Sequence, residues 1–111
     1  MTGPRPALTE HAAVGKAASC QAYPRSLLFR SHKPSRFVWH HVLPQVCGGL
    51  TEPANLVSLC DNCHYAAHYW LYQLACGGTL PRFKTAVMRF ALQGYERAVA
   101  AGTAGKIPRE A

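Results

Sequence analysis

The stretch from Phe37 to His68 constrains this chain more than any other. It opens Phe37-Val38-Trp39-His40-His41 and closes Cys60-Asp61-Asn62-Cys63-His64-Tyr65-Ala66-Ala67-His68. One histidine pair is adjacent and the other is four apart. Neighbours on a strand point to opposite faces, so His40 and His41 can do different things. Residues i and i+4 on a helix share a face, so His64 and His68 can reach one ion. Either pair alone says little. In a strand-loop-strand-helix order, however, the strand can pack on the helix and set His40 beside His64 and His68. Three neutral imidazoles then hold a divalent ion with open positions. His41 stands alongside, and a histidine side chain, with a reference pKa near ~6.5, is suited to accept a proton from water. An imidazole-rich set favours Zn²⁺, Ni²⁺, Co²⁺ or Mn²⁺ over Mg²⁺, which prefers oxygen.

The local signals support that order. Phe37–Val42 is β-branched and aromatic and reads as a strand that Pro44 ends. Gln45–Asn55, with Gly48, Gly49 and Pro53, reads as a loop, and Leu56–Leu59 as a second strand. Asp61 or Asn62 is suited to cap a helix over Cys63–Ala75, with Gly77-Gly78 at its end. A second helix is expected from Pro81 to Ala101, with Gly102 just beyond. Its apolar face would be Phe83, Val87, Phe90, Ala91, Tyr95 and Ala98. Arg82, Arg89, Gln93 and Arg97 form the opposite stripe, a wet face that could also touch phosphates. Gly94 should weaken this helix by roughly 1 kcal/mol relative to Ala.

The remaining segments divide into a loose arm at 1–19 with a short helix near 8–18, a core at 20–75, a helical extension at 76–102 and a frayed tail at 103–111. A chain of 111 residues suits one domain with a modest core. No apolar run reaches the ~18–20 residues of a membrane helix, and no signal-peptide pattern is seen at the start. The expected setting is therefore the cytoplasm, with no membrane partner. There the five cysteines would remain thiols or bind metal. Twelve Lys and Arg against five Asp and Glu give +7, a charge that draws polyanions. Arg25, Arg30, Lys33 and Arg36 lie just before the histidine pair, and no acid falls between Glu10 and Glu52. These four are the candidate residues for binding a polyanion such as DNA.

Taken in order, Trp39-His40-His41-Val42-Leu43-Pro44, Gly48-Gly49, Asn55-Leu56-Val57-Ser58-Leu59-Cys60 and Cys63-His64-Tyr65-Ala66-Ala67-His68 resemble the HNH endonuclease family. The likeness is strongest to the compact stand-alone HNH proteins common in bacteriophages. It covers about 37–68, and more loosely 20–75. The resemblance implies an α+β fold: a ββα-metal (His-Me finger) core with an additional C-terminal helix. It also implies metal-dependent hydrolysis of DNA phosphodiesters to 5′-phosphate and 3′-hydroxyl ends. On this pattern His41 matches the general base, and His40, His64 and His68 match the ligands of one divalent ion (Mn, Ni, Co, Zn or Mg). Asn55 matches the middle asparagine that belongs to the catalytic motif and braces its loop. Small phage proteins of this kind often assist a terminase, which makes a phage terminase a partner by resemblance and the host cytoplasm the setting.

One departure stands out. Such relatives often hold a structural zinc on two Cys-x-x-Cys pairs. Cys60 and Cys63 supply one pair, but Cys20 is followed by Tyr23 where the second cysteine should be. Either His32 or Cys47 completes a site with Cys20, Cys60 and Cys63, or no zinc binds and the thiols are simply buried. Two other function classes compete with the nuclease. One is a non-catalytic nucleic-acid-binding module with the same fold. The other is a c-type haem protein using Cys60, Cys63 and His64, which would leave His40, His41, Asn55 and His68 unexplained.

Overall fold

The computed structural model describes residues 15–22, 36–82 and 85–109. Strand β1, Phe37–His41, pairs antiparallel with β2, Leu56–Cys60, and among the described residues these two strands form the whole sheet. The register sets Phe37 opposite Cys60, His40 opposite Val57 and His41 opposite Leu56. Helix α1, Asp61–Ala75, leaves β2 without a loop, and helix α2, Ala86–Ala100, packs chiefly on α1. The chain is an α+β protein in which two strands and a helix form the ββα core and a second helix is added after it.

The loop between the strands is tightly built. Pro44 and Pro53 introduce short 3₁₀ turns at Gln45–Cys47 and Pro53–Asn55. A side chain at Gly49 would place its Cβ 1.8 Å from the Leu43 carbonyl oxygen, so only glycine lets the loop fold back there. The N-terminal stretch is docked to the sheet. Gln21 and Ser58 exchange two hydrogen bonds of 2.7 Å, Gln21 N–H to Ser58 O and Ser58 N–H to Gln21 Oε1. Trp39 Nε1 donates to Gly15 O at 2.8 Å, and the Ser58 hydroxyl donates to Ser19 O.

Two apolar clusters flank α1. Leu59, Cys60, Cys63, Ala67, Ala22 and Val87 close one side, and Cys47, Leu71, Leu74, Ala91, Ala98 and Ile107 close the other. Gly94 sits where α2 crosses the end of β1. A Cβ there would lie 2.3 Å from the Val42 carbonyl oxygen. The helix-propensity cost of Gly94, about 1 kcal/mol, is thus tied to a close approach that Ala cannot make.

Several element bounds differ from the sequence expectation, each for a local reason. Helix α1 begins at Asp61, and its cap is Cys60, whose Sγ accepts from Cys63 N–H, rather than Asp61 or Asn62. Helix α2 begins at Ala86 rather than Pro81, because the Thr85 hydroxyl accepts from Met88 N–H and starts the helix there. Arg82 therefore precedes α2 instead of lying on its stripe. Residues 15–18 are not helical, and the rest of the short helix expected near 8–18 lies outside the described residues. The tail is packed rather than frayed as far as Ile107, which is buried beyond a 3₁₀ turn at Ala104–Lys106. The extension expected at 76–102 shares its core with α1. No helix among the described residues is long and apolar enough to cross a membrane.

Candidate metal centre

The first turns of α1 place His64 and His68 on the face that meets β1, and the pleat of β1 turns His40 inward onto them. The three rings form a triangle, with centroids 5.2 Å apart for His40–His64, 4.8 Å for His40–His68 and 4.6 Å for His64–His68. The Nε2 atoms of His64 and His68 are 3.0 Å apart. One ring nitrogen from each histidine lies within 4.8 Å of the other two.

His40 tests whether an ion fits. It is 1% exposed, yet among the described residues neither its Nδ1 nor its Nε2 has a hydrogen-bond partner. Leaving a buried polar atom unpaired costs about 1–3 kcal/mol, and native proteins rarely tolerate it. Coordination by a cation would satisfy such a nitrogen. Electrostatics agree. Burial, reinforced by the other histidines, pushes His40 down to about 2 and His68 to about 4. Burial also lowers His64, with Asp61 opposing it in part. All three imidazoles are therefore neutral at pH 7, the form that binds metal.

His41 leaves β1 on a different course. Its Nε2 lies 2.9 Å from the Thr51 hydroxyl, to which Gln45 Nε2 also donates at 3.4 Å. The ring lines a cleft of about 360 Å³ whose wall also carries His64, His68, Trp39 and Gln45. The adjacent pair in the sequence is thus split, with His40 inside the triangle and His41 on the cleft beside it. Asn55 reaches neither. It is buried, its Oδ1 accepts from Leu43 N–H at 2.8 Å, and its Nδ2 donates to the Leu43 and Leu50 carbonyls at 3.0 Å. Asn55 is a positioning residue that ties the loop to β1, with no atom turned to the cleft.

Cys20, Cys60 and Cys63 form a second group whose sulfurs lie within 4.8 Å of one another. Burial, helped by hydrogen bonds to Cys60 and Cys20, pushes the Cys63 thiol well above its usual range in the absence of a cation. Cys47 does not complete this group. It lies in the other apolar cluster and donates to Thr103 O at 3.5 Å. His32 and Tyr23 lie outside the described residues. The buried Cys60 and Cys63 also leave no face for a haem thioether, and His64 is turned to the other imidazoles.

Of the candidate DNA-binding residues, Arg25, Arg30 and Lys33 lie outside the described residues. The Arg36 side chain is 74% exposed and pairs with Asp61 at 3.5 Å. On α2, Arg89 and Gln93 are exposed, but Arg97 is engaged. Its Nη1 donates to Asn55 Oδ1 at 3.0 Å and to Ala54 O at 3.5 Å. The sequence reading had no place for Thr51 and took Arg97 only as surface charge. A hydroxyl ten residues from His41 carries no spacing signal, and the link from Arg97 to Asn55 spans 42 residues.

Two antiparallel strands and a helix closing three neutral imidazoles on one point define a ββα-metal module. Residues 28–69 match the model of the HNH endonuclease family. No curated protein and no solved structure gives a significant match to the chain.

Proposed function

We propose that this chain is a metal-dependent DNA endonuclease that breaks the P–O3′ bond and leaves 5′-phosphate and 3′-hydroxyl ends. The single observation behind this reading is the His40–His64–His68 triangle, with the His40 nitrogens unpartnered among the described residues and His41 on the adjoining cleft. His40, His64 and His68 would hold one divalent ion. When bound, such an ion orients the scissile phosphate and offsets charge on the phosphorane and the leaving oxygen. An all-imidazole set fits Zn²⁺, Ni²⁺, Co²⁺ or Mn²⁺ better than Mg²⁺.

His41 is assigned as the general base. We assign His41 the tautomer in which Nε2–H donates to Thr51 Oγ1, so that the Nδ1 lone pair takes a proton from the attacking water. The water oxygen bonds to phosphorus as the P–O3′ bond breaks, and the departing 3′-oxygen takes a proton from solvent water. Thr51 holds the ring, Asn55 holds the loop that carries Thr51, and Arg97 holds Asn55. Arg25, Arg30, Lys33 and Arg36 are assigned to the DNA backbone.

Cys20, Cys60 and Cys63 would carry a structural zinc with a fourth donor. The alternative is a non-catalytic nucleic-acid-binding module. A phage terminase as partner and a cytoplasmic setting rest on resemblance and sequence alone. Plasmid cleavage with a panel of divalent ions and an EDTA control separates the two readings. Nicking or cutting supports the endonuclease, and folded protein that binds DNA but cuts with no ion supports the module.

A further inference from the structure

A second and larger cleft, about 530 Å³, lies on the other side of His64 and His68. Volumes of this order hold small organic ligands. Its floor is a stripe of α1 one position round from the ligand stripe: Tyr65, Tyr69 and Tyr72 run beside His64 and His68. Tyr65 is 68% exposed and Tyr69 44%, so large aromatic faces are left uncovered beside the imidazoles. Tyr69 is held edge-on against Trp70 at 5.1 Å, which limits the ordering cost of using its ring. Arg36 and Arg109 also line the cleft. Asp61 is its acidic member and is paired with Arg36. Aromatic rings with cations at their edges fit a planar heterocycle carrying a phosphate.

We propose that this cleft stacks unpaired bases next to the scissile phosphate, so that the substrate class is single-stranded or locally opened DNA. The inference rests on the nuclease reading above and names its substrate. Bases in a duplex are stacked on one another and offer no face to Tyr65 or Tyr69, whereas an unpaired base does. The two clefts meet at His64 and His68. A strand crossing from one to the other would pass its phosphate over the triangle, with bases on the tyrosines and His41 on the far side. Stacking on an aromatic face tolerates any base, so little sequence preference is expected from this contact.

The test uses the full chain with no divalent ion added, so that any structural zinc stays in place while cleavage is not driven. Oligodeoxynucleotides carrying 2-aminopurine, single-stranded and in a blunt duplex of equal length, are titrated with wild type, Tyr65→Ala, Tyr69→Ala, Tyr65→Phe and Tyr69→Phe. The single strand should bind more tightly than the duplex and show quenched 2-aminopurine. Each Ala variant should weaken single-strand binding by about 5- to 100-fold while leaving duplex binding nearly unchanged, and the Phe variants should bind like wild type. Loss of single-strand and duplex binding in equal measure, or no loss, overturns the proposal. So does a wild type that binds the single strand without quenching, a result that needs no variant to fold. Tyrosine-dependent binding of a protein partner with no single-strand preference would make the cleft a docking face and also overturn it. Cleavage by wild type of a plasmid and of a circular single strand is scored separately. Cutting without single-strand preference sinks this inference alone. Tyrosine-dependent quenching with no cleavage under any ion sinks the nuclease reading instead.

Discussion

His41 Nε2 and Thr51 Oγ1 are 2.9 Å apart, joining the end of β1 to the far side of the inter-strand loop. Thr51 is buried, so it can fix the ring without competing for substrate. Thr51→Val should lower the cleavage rate by about 10-fold, the worth of one hydrogen bond near 1.4 kcal/mol, with little change in KM. Thr51→Ser should restore the rate. Steady-state kinetics on both variants check this, and a Val variant with wild-type kcat would remove Thr51 from the mechanism.

His41→Ala and His64→Ala should both abolish cleavage, for different reasons. Loss of the base should cost about 10²–10⁴-fold and leave metal affinity nearly intact, with partial rescue by added imidazole or higher pH. Loss of the ligand should weaken metal binding itself, with partial rescue by excess metal. The double variant should be little worse than His41→Ala alone. Calorimetric metal titration with single-turnover rates decides the roles. A His41→Ala variant that lost the metal while His64→Ala kept it would reverse them.

The histidine triangle should make the metal-free protein acid-labile. Unfolded, each imidazole titrates near 6.5, whereas burial holds His68 near 4 and His40 near 2 in the fold. As pH falls below about 6.5 the unfolded chain therefore gains protons that the folded chain refuses. Stability is complete above that pH and drains as it falls toward about 4, with His40 extending the loss further. Metal should leave over the same window, since protonation removes the ligands. Urea midpoints between about pH 8 and about pH 4.5 measure the slope, and His68→Gln should flatten it. A midpoint independent of pH across that range would show that the rings are not shielded.

Asn55→Ala should destabilise the fold by about 3 kcal/mol, because it leaves Leu43 N–H and the Leu43 and Leu50 carbonyls unpaired. Gly94→Ala should also destabilise, although Ala is the better helix former by about 1 kcal/mol, since its methyl would meet Val42 O. Denaturant unfolding measures both. A more stable Gly94→Ala protein would show that α2 can move off β1 at little cost.

DNA affinity should fall steeply with salt. Each phosphate neutralised contributes roughly −0.9 to the slope of log K against log salt on duplex and about −0.7 on a single strand. Replacing Arg25, Arg30 or Lys33 with Ala should each flatten the slope by about one such step. Arg97→Ala should act mainly on stability, because its guanidinium is engaged with Asn55. Slopes near zero for the wild type would rule out the electrostatic footprint.

The convergence of His40, His64 and His68 was legible in the sequence because its signals are local. Four-residue spacing on a helix puts His64 and His68 on one face, and alternation on a strand separates His40 from His41. Strand chemistry in Phe37–His41 and Leu56–Cys60 and the glycines of the loop gave the ββ hairpin, so the module was largely readable. Tertiary structure decided what no spacing encodes. It placed Thr51 against His41 and Arg97 against Asn55, contacts set by loop closure and helix docking. It sent Cys47 to the α1–α2 core rather than to Cys20, Cys60 and Cys63. Thr85 rather than Pro81 started α2, since a side-chain cap satisfies a free N–H and a proline only tolerates its absence. Periodicity fixes the direction in which a side chain leaves its own element, and only packing between elements fixes what it meets.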